Sequence, residues 1–83
     1  MNGIVHLMEE EKPEYGRPVV IIYKKNGNIW NNQHYDCGCL YQDYYSGNAF
    51  DLDGEYSVHI REVHGWIYQE DLDNLLGITM KAR

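Results

Sequence analysis

The run Val19-Val20-Ile21-Ile22-Tyr23 constrains this chain more than any other segment. β-Branched side chains lose χ1 freedom in a helix and pack well on a pleated surface. The run is continuously apolar and too short for a helix, so it reads as a central strand buried on both faces. Punctuation on either side sets its limits. Upstream, Lys12-Pro13-Glu14-Tyr15-Gly16-Arg17-Pro18 carries prolines and a glycine that exclude regular structure. Downstream, Asn26-Gly27 is a strong hairpin signal, because both central residues of a type I′ turn need positive φ. The returning strand opens at Ile29-Trp30 and heads towards Tyr35. An interruption is expected at Cys37-Gly38-Cys39, where a glycine suits a bulge or bend.

Strand and turn signals continue to alternate. Leu40 to Tyr45 reads as strand ended by Ser46-Gly47-Asn48, and Ala49-Phe50-Asp51-Leu52 alternates before Asp53-Gly54. In Tyr56-Ser57-Val58-His59-Ile60-Arg61, the residues Tyr56, Val58 and Ile60 are predicted to face inward. Strand character returns at Gly65-Trp66-Ile67-Tyr68. Helical spacing is confined to the end: Leu72, Leu75 and Leu76 share a face, Glu70 and Asp71 suit the first turn, and Gly77 suits the C′ position. The prediction is one α+β domain over residues 1–83. It is a mainly antiparallel sheet, a meander of about four to six strands, with one short C-terminal helix. The expected core is Val20, Ile22, Trp30, Val58, Ile60, Trp66 and Leu75.

Charge narrows the function classes. With 7 Lys and Arg against 13 Asp and Glu, the formal net charge is -6. Such a surface repels phosphate backbones and anionic lipid, so direct nucleic-acid or membrane binding is disfavoured. It is steered instead towards a partner protein with a basic surface. No apolar run approaches the ~20 residues that span a bilayer. Met1-Asn2-Gly3-Ile4-Val5-His6 has no basic stretch followed by an apolar one, so a cytoplasmic location is expected. The cysteines, at 37 and 39, are too close for ordinary disulfide geometry and are expected as thiols.

Two stretches resemble a domain family of unknown function found in phages, prophages and gut bacteria. Lys12-Pro13-Glu14-Tyr15-Gly16-Arg17-Pro18-Val19-Val20-Ile21 is similar to the family's opening, and Val63-His64-Gly65-Trp66-Ile67 to its close. The resemblance implies a small accessory protein of a phage or mobile element and supplies no catalytic residues.

Several constellations invite a chemical reading. His34, Cys37 and Cys39, with His59 or His64 as a fourth ligand, carry zinc-binding donors, but Cys-x-Cys is tighter than the usual knuckle spacing. Asp51-x-Asp53-x-Glu55 with Glu62 mimics a calcium loop, yet Tyr56 stands where the loop needs glycine. A thiol–imidazole pair from the same cysteines and histidines lacks any local oxyanion-hole or family signature. No catalytic residue, metal or cofactor is assigned on these grounds, and the chain is read as a non-enzyme.

The most unusual compositional feature is tyrosine, 8 of the 83 residues. Tyr41, Asp43, Tyr44 and Tyr45 cluster beside a turn, and strand alternation leaves at least one ring facing solvent. Tyrosine gives large, rigid contact area at low entropic cost, so these four residues are the expected contacts for a host protein. An anti-CRISPR-like or other anti-defence inhibitor is one concrete form. A second reading is a homo-oligomer that sequesters a small anionic ligand such as a nucleotide, using Arg17, Lys24, Lys25 and Arg61. A third is a zinc-stabilised structural module.

Overall fold

A computed structural model of the chain describes residues 4–24, 27, 32–44, 47–52 and 56–77. The apolar run forms strand β2 (Val19–Tyr23), flanked in the chain by β1 (His6–Leu7) and β3 (Tyr35–Asp43). Then follow β4 (Gly47–Leu52), β5 (Ser57–His59), a 3-10 turn (Ile60–Glu62), β6 (Val63–Tyr68) and helix α1 (Gln69–Leu76). Among the described residues, these strands form one antiparallel sheet in the order β1-β6-β2-β3-β4-β5. The α+β architecture with a short C-terminal helix is as predicted. The meander runs from β2 to β5, after which β6 leaves it to lie between β1 and β2.

That departure forces the sheet to curl. In a flat sheet β5 and β6 would stand roughly 19 Å apart, four strand spacings. The linker from His59 to Val63 spans at most about 14 Å when fully extended, and less as a 3-10 turn. The concave face therefore closes around Val19, Ile21, Tyr23, Leu40, Phe50, Leu52, Val63 and Trp66, all buried.

The open end of this concavity is closed by the proline-containing loop between β1 and β2. Pro13 is buried, and the Trp66 Nε1–H donates to the Glu11 carbonyl at 3.0 Å. The Glu14 amide donates to the Tyr68 hydroxyl at 3.0 Å, and the Gly16 amide to the Leu40 carbonyl at 2.9 Å. The Arg17 guanidinium lies 3.7 Å above the Tyr68 ring, while its nitrogens reach Glu14 at 3.6 Å and Glu70 at 3.3 Å. The two motif-like stretches of the sequence pair directly across β2 and β6, Val20 with Ile67 and Ile21 with Trp66.

Several expectations about the core are corrected. Val20 and Ile22 are half-buried on the convex face, while Val19, Ile21 and Tyr23 face the core, so β2 is not buried equally on both faces. Val58 and Ile60 are half-buried and pack against the core, but Tyr56 is exposed. Ile60 lies in the 3-10 turn and not in a strand. Leu75 is 68% exposed, because α1 buries none of its residues against the sheet. Trp30 lies outside the described residues, as does Asn26 of the hairpin signal. Gly27 has φ 89°, the left-handed conformation such a turn requires.

Cys37-Gly38-Cys39 does not interrupt β3, which runs unbroken with Gly38 paired to both Val19 and Leu52. The glycine is needed for close approach: a Cβ there would lie 2.5 Å from the Asp51 carbonyl oxygen on β4. Gly38→Ala should therefore destabilise the fold by about 1–3 kcal/mol, as overpacking does. Urea unfolding measures this, and an unchanged midpoint would mean that β3 and β4 are not so closely apposed.

Candidate functional site

Leu40 points into the core, and this sets the parity of β3. Side chains alternate across a strand, so Tyr35, Cys37, Cys39, Tyr41 and Asp43 all fall on the convex face. On that face the Tyr41 hydroxyl donates to Asp43 Oδ1 at 3.4 Å. The residue opposite Tyr41 on β4 is Ala49, a small neighbour, and Gly47 stands opposite Asp43. Tyr44 follows at the turn and is 89% exposed. Of the predicted contacts, Tyr41 and Asp43 are brought together on one face, Tyr44 follows them exposed at the turn, and Tyr45 lies outside the described residues.

The convex face extends this cluster. Tyr35, 63% exposed, shares the face of Tyr41 about 20 Å along the strand. The period-two spacing of residues 35 to 43 carried that signal, obscured by the break anticipated at Gly38. Cross-strand neighbours add apolar surface, with Val20 opposite Cys37 and Ile22 opposite Tyr35. Ile67 lies beside Val20 on β6, and all three aliphatic residues are half-buried. Asp51, exposed and paired with Cys39, contributes a second carboxylate to this face. The surface offers aromatic rings, aliphatic area and negative charge together.

The candidate zinc constellation is not assembled. Cys37 and Cys39 sit on the convex face of β3 and form no disulfide. His59 is occupied as the cap of the 3-10 turn, its Nδ1 accepting from the Arg61 amide at 3.1 Å. His64 lies at the start of β6, where its carbonyl accepts from the Met8 amide. Among the described residues no group of three or more His, Cys, Asp or Glu side chains is placed to share a metal ion. Asp53 and Glu55 of the calcium-loop mimic lie outside the described residues.

The cationic residues separate as well. Arg17 is engaged by Tyr68, Glu14 and Glu70, Lys25 lies outside the described residues, and Lys24 and Arg61 line one cleft. No described helix is long and apolar enough to cross a membrane. No family model, curated protein or solved structure matches the chain.

Proposed function

We propose that this chain is a small, non-enzymatic binding protein that docks on a partner protein with a basic surface through the convex face of β3. The observation that carries the reading is the alignment of Tyr35, Tyr41 and Asp43 on one face, with exposed Tyr44 at its end. Interface hot spots favour such rings, where arginine of a partner can stack on tyrosine and fork onto a carboxylate. The net charge of -6 supports the same choice of partner by steering encounter with basic surfaces. The resemblance of residues 12–21 and 63–67 to a phage-associated family supports an accessory role in a phage or mobile element, with inhibition of a host defence protein, anti-CRISPR-like, as its most concrete form.

The test is a pull-down from host lysate followed by affinity measurement on the captured protein. Tyr44→Ala and Tyr41→Ala should each weaken binding by about 30-fold, equivalent to roughly 2 kcal/mol, with folding verified by circular dichroism. Asp43→Asn should act chiefly by slowing association and reducing its salt dependence. If both tyrosine variants bind like the parent, the convex face is not the docking surface.

A further inference from the structure

The curl of the sheet leaves a cleft of about 360 Å³ where the end of β1 faces the 3-10 turn. Its walls carry Lys24 from the end of β2, His59 from β5, Arg61 from the turn and His64 from β6. In a chain with 7 Lys and Arg against 13 Asp and Glu, this convergence runs against the overall charge. Leu7, Ile60 and Val63 give the same cleft apolar lining. From these observations we infer that the cleft binds a small phosphomonoester carrying an apolar body. The site is separate from the convex face of β3 and does not depend on the docking reading.

The donor set decides the ligand class. His59 Nδ1 accepts from the Arg61 amide, so a neutral ring carries its proton on Nε2 and can donate there. Among the described residues Arg61 pairs with Glu62 at 3.8 Å, an exposed pair of the kind that contributes little. The Arg61 guanidinium can therefore turn to a stronger anion. A phosphomonoester brings close to two negative charges and three acceptor oxygens, which can be met from several walls at once. A planar carboxylate is satisfied by one fork and would leave the remaining donors unused. The cleft volume falls at the lower end of the roughly 300–1,000 Å³ typical of small-molecule sites, which suits a compact ligand. Glu9 also lines the cleft and opposes an anion there.

The experiment is an amide NMR titration of the full chain with phenyl phosphate, using inorganic phosphate and benzoate as comparators. Saturable shifts are expected at Met8, Lys24 and residues 59 to 64, with phenyl phosphate at least ~10-fold tighter than either comparator. Lys24→Gln and Arg61→Gln should each weaken it by about 10-fold, and Glu9→Gln should tighten it. Tyr44→Ala should titrate like the parent, which separates this site from the protein-docking surface. The inference is overturned if no saturable shift develops by about 10 mM phenyl phosphate, below even weak affinity. Equal binding of benzoate, equal binding of inorganic phosphate, or an Arg61→Gln titration matching the parent would overturn it too.

Discussion

Trp66→Ala should remove most of the fold's stability, about 3–5 kcal/mol, from a domain whose total lies near the low end of 5–15 kcal/mol. Trp66 is 2% exposed, and its ring stacks on His6 at 4.2 Å and meets Tyr68 edge-on at 4.9 Å between centroids. Truncation leaves a large cavity next to the β1–β6 pair and deprives the Glu11 carbonyl of its indole donor. That hydrogen bond is one of the ties holding the proline-containing loop across the concavity, so the loop should loosen with it. Trp66→Phe keeps part of the volume without the N–H and should fall between parent and alanine variant. Urea unfolding with both variants measures the two contributions. An alanine variant whose midpoint equals the parent's would show that Trp66 does not belong to the core.

Ile21→Ala should cost about 2–5 kcal/mol, while Ile22→Ala should cost no more than about 1–2 kcal/mol. The residues are adjacent and chemically identical, so only the parity of β2 separates them. Ile21 is fully buried opposite Trp66, whereas Ile22 is half-buried on the convex face opposite Gly65. The paired design cancels any difference in strand propensity and reads burial alone. Equal losses would mean that both faces of β2 are covered to the same extent. A larger loss at Ile22 would invert the register described above.

The same parity explains how much of the candidate site was legible beforehand. Tyr41, Asp43 and Tyr44 stand close in sequence, and a strand ending in a turn places such neighbours together whatever surrounds them. Tyr35 was harder to find, because its membership depends on β3 running unbroken through Gly38. That continuity follows from the close approach of the Asp51 carbonyl on the next strand, a contact invisible along the chain. The phosphate-class cleft was less legible still. Lys24 and Arg61 are evident in the sequence as cations, but nothing local places them beside His59 and His64, which come from different elements.

Local chemistry determined the element types: a β-branched run became β2, Gly47 with φ 83° opened β4 after β3 had ended at Asp43, and Gly77 with φ 81° ended the helix after Leu76. Each rests on steric and rotamer preferences expressed within a few residues, so the sequence carries them alone. The burial of those elements belonged to the tertiary structure. Val19-Val20-Ile21-Ile22-Tyr23 is apolar at both parities, and only the direction of the curl selects the odd positions for the core. Leu75 shares a helical stripe with Leu72, yet it stays exposed because no described segment packs over that end of α1. The return of β6 to the side of β2 is a pairing between residues more than forty positions apart, as in Ile21 with Trp66. Such a pairing is decided by which curled arrangement buries the most apolar surface, a property of the whole chain that no local segment encodes.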